Sequence, residues 1–213
     1  RDGGQTLLVR GGQEAVSPGT LHIEGDWSHA AFYLVAGAIG RGEIRLTGLD
    51  PRSAQGDRAV VEILRDMGAD IRWEGSALVS RASRLHGLRV DCAQIPDLVP
   101  ILAVAMAAAE GDSRITGAAR LRIKESDRLS AMAAALTAAG ADAAELPDGL
   151  AIRGGKTLHA AQIEGCNDHR IVMAMTIASA LSDGEWTITD AEATAKSAPA
   201  FWQEFERLGG RTR

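Results

Sequence analysis

Hydrophobic and polar positions along the 213-residue chain fall into a pattern that occurs three times. Each occurrence opens on an aspartate, in Gly25-Asp26-Trp27, Pro96-Asp97-Leu98 and Asn167-Asp168-His169, and the three aspartates are spaced 71 residues apart. Behind each comes a run apolar on every side: Ala30 to Ile39, Leu98 to Ala109 and Ile171 to Leu181. A short β-like segment follows (Ile44 to Thr47, Arg114 to Thr116, Trp186 to Thr189), and then an amphipathic helical pattern. Val60, Leu64 and Met67 share one face of the first such helix, Leu129, Met132 and Leu136 of the second, and Phe201, Phe205 and Leu208 of the third. Each ends in a glycine signal, at Gly68, Gly140 and Gly209. Two strands are then expected to close the unit as a hairpin: Ala77 to Arg81 with Leu88 to Val90, and Leu150 to Arg153 with Gln162-Ile163. Leu7 to Arg10 with Leu21 to Ile23 reads as one more such hairpin at the front. A period of this length marks one supersecondary unit, here helix, strand, helix and two strands.

A helix apolar all round has to be buried on every side, so the three apolar helices belong inside, parallel to one another, with strands around them and the amphipathic helices outside. The fold class is therefore α/β, built from about three repeats. Parallel interior helices gather three N-termini at one end, where free backbone N–H groups and partial positive charge favour an anionic ligand. Asp26, Asp97 and Asp168 stand at that end. The chain opens with the tail of an earlier unit, has no Met at position 1 and stops where the third hairpin should begin. It is expected to be a piece of a longer protein.

Composition agrees with a folded domain. Apolar residues make up 46% of the chain, enough for a sizeable core, and no linker or low-complexity stretch divides it. The net charge of −5 gives non-specific nucleic-acid binding no electrostatic support. The longest apolar runs fall short of the roughly 18 residues a membrane span needs. Cys92 and Cys166 lie at equivalent places in successive units with no metal-like spacing, and are expected to be inert thiols. No metal and no cofactor is expected, and the compartment is expected to be the cytoplasm.

An aspartate at a helix start needs no function, because Asp is a preferred N-cap. Asp26 is assigned to that role. Asp97, between Pro96 and an apolar helix, sits where burial can raise a carboxylate's pKa and suit it to base duty. Asp168 is followed by His169 and Arg170. A second cluster, Arg120-Leu-Arg-Ile-Lys124-Glu125-Ser-Asp127-Arg128, opens the second amphipathic helix. Helix-dipole logic disfavours Lys124 and Arg128 there unless they face a negative ligand. Lys196 stands at the matching place in the third unit, whereas Gln55-Gly56-Asp57-Arg58 in the first carries no lysine.

Lys124-Glu125-Ser126-Asp127-Arg128 resembles a signature of the 5-enolpyruvylshikimate-3-phosphate synthases. Ile95-Pro96-Asp97, Asn167-Asp168-His169-Arg170 with Met173-Ala-Met175, Glu24-Gly25-Asp26, Gln55-Gly56-Asp57 and Lys196 with Pro199 are similar to that family in the same order. The resemblance implies an inside-out α/β barrel fold of two similar domains. It places residues 1–20 at the end of the N-terminal domain and residues 21–213 in the C-terminal enolpyruvyl transferase domain, without its closing strands. It implies transfer of the enolpyruvyl group of phosphoenolpyruvate to a hydroxyl of shikimate 3-phosphate with release of phosphate, a step toward aromatic amino acids. By motif, Asp97 is implied as proton acceptor and shikimate 3-phosphate contact, Lys124 as a contact of the same substrate, and Glu125 as proton-transfer partner at the methylene carbon. Arg128, His169, Arg170 and Lys196 are implied to bind phosphoenolpyruvate. The full-length enzyme is implied to be a monomer whose other domain completes the cleft, so the chain alone is expected to be inactive.

Some positions depart from the family pattern. Arg120 stands where many members carry Asn, and Trp27 and His29 where many carry small residues; these two are expected to pack. His22, His86 and His159 receive no role. Two rival readings remain: a transferase acting on a UDP-amino sugar, which would lack the Lys-Glu-Ser-Asp-Arg signature, and a non-catalytic anion-binding domain.

Overall fold

The computed structural model describes residues 7–213. The three apolar runs are helices: α1 (Trp27–Ile39), α3 (Val99–Ala108) and α5 (His169–Ala178). All but one residue of α3 and of α5 is buried, and each of the three helices packs on the other two. The amphipathic patterns become α2 (Val60–Asp66), α4 (Arg128–Ala138) and α6 (Phe201–Arg207). In α2 and α4 the glycine stops work as expected. Gly68 and Gly140 take φ of +96° and +91°, and the next residues, Ala69 and Ala141, donate back to Leu64 and Leu136. That left-handed turn satisfies carbonyls that the helix end would leave open. The third amphipathic face is weaker than its pattern. Phe201 is fully buried, but Leu208 falls just past the helix and is 49% exposed.

The strands are β1 (Glu43–Leu46), β2 (Asp70–Glu74), β3 (Ala77–Arg81), β4 (Arg89–Asp91), β5 (Asp112–Thr116), β6 (Asp142–Leu146), β7 (Gly149–Arg153), β8 (Gln162–Ile163) and β9 (Thr187–Ile188). They form three sheets, in the orders β1-β3-β2, β4-β5-β7-β6 and β8-β9. The expected hairpins need correction. β3 pairs antiparallel with β2 and β7 with β6, across the tight turns at Gly75-Ser76 and Pro147-Asp148. β4 and β8 instead cross over and pair parallel with β5 and β9 of the following unit. Each unit is therefore an entry strand, an interior helix, a middle strand, an amphipathic helix and a hairpin. β2 and β6 escape the sequence pattern because their residues are mostly polar or alanine and lie at sheet edges, where few side chains are buried.

The hairpin expected from Leu7 to Arg10 with Leu21 to Ile23 does not form. Both segments are exposed coil, separated by a stretch that holds Gly12 and Pro18-Gly19, and so short a strand makes too few ladder bonds to hold itself. Ile23-Glu24-Gly25 repeats Ile163-Glu164-Gly165, which leaves the end of β8, yet only Gly25 reaches the neighbouring strand's end, donating to the Gly48 carbonyl. The outer edge of β1 is thus left beside an apolar groove of about 340 Å³ lined by Ile44, Leu46, Leu49 and Tyr33.

One apolar core runs through all three units. Trp27 lies inside it at 1% exposure, edge-on to Trp73, and His29 meets Tyr33 edge-on, so both depart from the family pattern as packing residues. Cys92 is buried, and its thiol is pushed up to about 12 by burial and then by Asp91 and Asp57, which keeps it inert. Among the described residues no helix is long and apolar enough to cross a membrane.

Candidate active site

The N-terminal ends of α1, α3 and α5 meet, and side chains from all three cross-link there. Asp26 caps α1, accepting from the Ser28 and His29 backbone N–H groups, as expected. Asp168 caps α5 through the Arg170 backbone N–H and is fully buried. Asp97 does neither. It lies in a 3₁₀ turn (Pro96–Leu98) ahead of α3, and no side chain caps that helix. Its carboxylate instead faces three cations: Arg128 at 3.0 Å, Arg170 at 3.4 Å and Lys124 at 3.6 Å.

Arg128 is the centre of the cluster. It is 1% exposed, and its Nε, Nη1 and Nη2 donate to Asp168 (2.8 Å), Asp97 (3.0 Å) and Glu125 (2.7 Å). The charged run 120–128 reads as a solvated helix start, but Arg128 is the first residue of α4 and that start is pressed against α3 and α5. A guanidinium can be buried there because three carboxylates satisfy its fork. Arg170 is held by its neighbours: Nη1 donates to the Asp97 carbonyl at 3.2 Å and Nη2 to Ser28 Oγ at 3.0 Å. Ser28 carries no signal in the sequence beyond lying two residues after a repeated aspartate, whereas Ser126, which donates to Asp168 at 3.0 Å, lies within the Lys-Glu-Ser-Asp-Arg run.

Lys196 reaches the same end. Its Nζ donates to the carbonyl and side-chain oxygens of Asn167, at 2.6 and 2.8 Å. Cys166 and Asn167 both have positive φ, 54° and 49°, and the Asn167 N–H is tied to Asp190. Such backbone costs energy and persists where the surroundings over-determine it. Here it turns the Asn167 oxygens toward Lys196 immediately before α5.

The electrostatics differ from the expectation for Asp97. Burial works to raise its pKa, but the charges of Arg170, Lys124 and Arg128 together outweigh burial and hold it below the usual aspartate range. Sequence reasoning saw the apolar helix behind Asp97 and not the cations in front of it. Asp168 is also lowered: burial pushes upward, and the Arg128 hydrogen bonds and charge outweigh it. Burial first, and then Arg170, lowers His169 and keeps it neutral at pH 7. His169 Nδ1 is buried without a hydrogen-bond partner, 3.8 Å from Glu125 Oε1. A buried polar atom left open beside a carboxylate and two arginines is a place for a ligand atom.

Beside this cluster opens a cleft of about 310 Å³ lined by Asp97, Lys124, Arg120, Asp57, Gly56 and Pro96. It brings Asp97 and Lys124 together, as the motifs imply, and adds Asp57. The apolar groove at β1 is a little larger but holds none of these charges. Of the residues singled out from sequence, Asp97, Lys124, Glu125, Arg128, His169 and Arg170 form one connected set, with Lys196 joined through Asn167. His22, His86 and His159 take no part in it.

Comparison with known proteins identifies the family. The family model for EPSP synthase (3-phosphoshikimate 1-carboxyvinyltransferase) matches residues 1–205. A 3-phosphoshikimate 1-carboxyvinyltransferase of Clostridium novyi is 43% identical over 204 residues, covering 96% of the chain and 46% of the relative. One from Halobacterium salinarum is 43% identical over 211 residues, covering 96% of the chain and 49% of the relative. The solved EPSP synthase of Acinetobacter baumannii superposes with a TM-score of 0.75 at 34% identity, over 87% of this chain and 46% of that one. The enolpyruvyl transferase NikO of Streptomyces tendae, at 18% identity and a TM-score of 0.71 over 90% of this chain and 44% of its own, shares the fold. The chain spans about half the length of the curated relatives it matches. With the Lys-Glu-Ser-Asp-Arg and Asp-His-Arg motifs meeting at one cluster inside this fold, the chain belongs to the EPSP synthase (3-phosphoshikimate 1-carboxyvinyltransferase) family.

Proposed function

We propose that the protein containing this chain transfers the enolpyruvyl group of phosphoenolpyruvate to a hydroxyl of shikimate 3-phosphate and releases phosphate, and that this chain forms one wall of the cleft. The observation that carries the reading is the convergence of Lys124, Arg128 and Arg170 on Asp97, beside the unpartnered His169 Nδ1. In that division residues 1–20 end the preceding domain, residues 21–213 form the C-terminal one, and the other domain, in the same monomer, supplies the opposite wall. The work is that of a dissolved enzyme of the cytoplasm.

The chemistry asks for the residue types that meet here. A proton added to the methylene carbon of phosphoenolpyruvate makes the adjacent carbon cationic. The shikimate 3-phosphate hydroxyl attacks it and loses its proton, and the tetrahedral intermediate then expels phosphate while the methyl group returns a proton. Asp97 holds the attacking hydroxyl and accepts its proton, with Lys124 on the same substrate. Glu125, exposed at the cluster's edge beside His169, exchanges the proton with the methylene carbon. Arg170 and Lys196 bind the anionic groups of phosphoenolpyruvate, and His169 Nδ1 faces it. Arg128 joins them through Nη2, the donor it now shares with the exposed Glu125. Fixed guanidinium and ammonium groups in such a site stabilise charge in the transition state more than water can.

The UDP-amino-sugar reading loses ground because the family match is to EPSP synthase. A purely anion-binding role leaves the Glu125 carboxylate beside the unpartnered His169 Nδ1 without use. The experiment is phosphate release from phosphoenolpyruvate and shikimate 3-phosphate by the full-length protein, with Asp97→Asn alongside. Release that requires both substrates and falls roughly 10²-fold in the variant supports the assignment. Release with a UDP-amino sugar in place of shikimate 3-phosphate would overturn it.

A further inference from the structure

Asp57 stands in the same cleft as Asp97 and Lys124, and no role has been given to it. It lies in a 3₁₀ turn (Gly56–Ala59) at the entrance to α2, as Arg128 lies at the entrance to α4. That turn is fixed from two sides. Gln55 spans back to the start of α1, donating to Glu24 and the Gly25 carbonyl and accepting from the Trp27 N–H. Gly56 is pressed against the Gln94 carbonyl, so closely that a Cβ there would sit 3.3 Å from it, on the stretch that leads into Asp97. The Asp57 carboxylate is half-buried, yet no hydrogen bond or ion pair holds it among the described residues. The groups that face it are Asp97 and Asp26, Arg170 from α5, and Arg120 and Lys124 across the cleft. Burial, and then the Asp97 and Asp26 charges, raise its pKa against the pull of Arg170.

Two carboxylates thus share one cleft in opposite settings. Asp97 is clamped by three cations and is a weak base; Asp57 has no donor and holds a proton more readily. Pairs of titratable groups driven apart by their surroundings mark out acid–base roles. Resting on the reading of Asp97 given above, we propose that Asp57 is a further catalytic residue of the site, which takes from Asp97 the proton that the attacking hydroxyl gives up. The hydroxyl oxygen forms its bond to the cationic carbon, the O–H bond breaks, and the proton passes to the Asp97 carboxylate and on across the cleft to Asp57. Asp97 is left ionised for its three cations, and Asp57, only half-buried, releases the proton to water.

The test uses the full-length protein and four variants: Asp57→Asn, Asp57→Glu, Asp57→Ser and Asp97→Asn. Asp57→Asn is expected to lower kcat about 10-fold or more with KM for both substrates within about two-fold, while Asp57→Glu recovers part of the rate. An ionised, unpaired Asp57 costs folding free energy near pH 7, so the unfolding midpoint of Asp57→Asn is expected to equal or exceed that of the unaltered protein. Asp57→Ser, which also removes the carboxylate, gives the same reading should the amide not fold. An unchanged kcat, or a raised KM for shikimate 3-phosphate with kcat intact, would overturn the relay. If Asp97→Asn is slow and Asp57→Asn is not, only this proposal fails; if Asp97→Asn keeps full rate, the reading of the site fails with it.

Discussion

At the residue scale the site is set by which charges face which. Asp97 and Asp26 are both aspartates at the head of an interior helix, but one caps and the other does not. Asp26→Asn should therefore cost only a few tenths of a kcal/mol in unfolding, because Asn caps about as well as Asp, and should leave turnover intact. Asp97→Asn removes a carboxylate from three cations and should slow phosphate release roughly 10²-fold. Equal and small losses in the two variants would reduce Asp97 to a structural residue. Arg128 makes a different prediction. Arg128→Met leaves Asp168 buried beside an apolar group, and removing one partner of a buried ion pair costs about 3–5 kcal/mol, measurable by denaturant unfolding. The loss should shrink as the pH is lowered, because an unpaired buried Asp168 takes up a proton. In the unaltered chain the signs run the other way. Asp97 and Asp168 have lowered folded pKa values, so their stabilising share is complete above the ordinary aspartate value of 3.8 and is lost as the pH falls below it. His169, also lowered, begins to oppose folding earlier, as the pH drops below its ordinary 6.5. Stability measured against pH should fall in those two windows, and a flat curve between pH 7 and 5 would contradict the His169 assignment.

The elements show what in the chain could be read in advance and what could not. The interior helices were legible because a run such as Val99 to Met106 has no polar face to leave in water. The meeting of their N-termini followed from the repeat. The hairpins were only half legible. β6, with its Asp-Ala-Ala-Glu-Leu composition, has no strand-like alternation, and the parallel pairing of β4 with β5 joins segments separated by the whole of α3, which no local pattern encodes. The site was legible as a set of motifs and illegible as electrostatics. Nothing in the run 120–128 distinguishes the buried Arg128 from the exposed Lys124, because the difference comes from α3 and α5 packing over the start of α4. Packing also yields a prediction at this scale. Gly37 in α1 lies against β3 so closely that a Cβ would come within 2.8 Å of Ser80, which is itself buried and bonded to the Leu34 carbonyl. Gly37→Ala should destabilise the fold by about 1–3 kcal/mol, as overpacking does. Since Gly37 is on the far turns of α1 from Asp26, turnover per folded molecule should be unaffected.

For the molecule as a whole, the cluster is an array of opposite charges held in place before any substrate arrives. Arg128, Lys124 and Arg170 are balanced by Asp97, Glu125 and Asp168, so the arrangement needs no ligand to be stable, and a substrate anion has to compete with carboxylates already in place. In the proposed division this chain walls the cleft beside it on one side; the relatives it matches are about twice as long. A transition state held from one side lacks half of its electrostatic preorganisation. The most direct measurement is phosphate release from phosphoenolpyruvate and shikimate 3-phosphate by residues 1–213 alone and by the full-length protein at equal concentration. The expected result is turnover by the full-length protein, lost in its Asp97→Asn variant, and none measurable from residues 1–213. Full turnover by residues 1–213 alone, or an undiminished Asp97→Asn, would contradict a cleft shared between two walls with Asp97 at its centre.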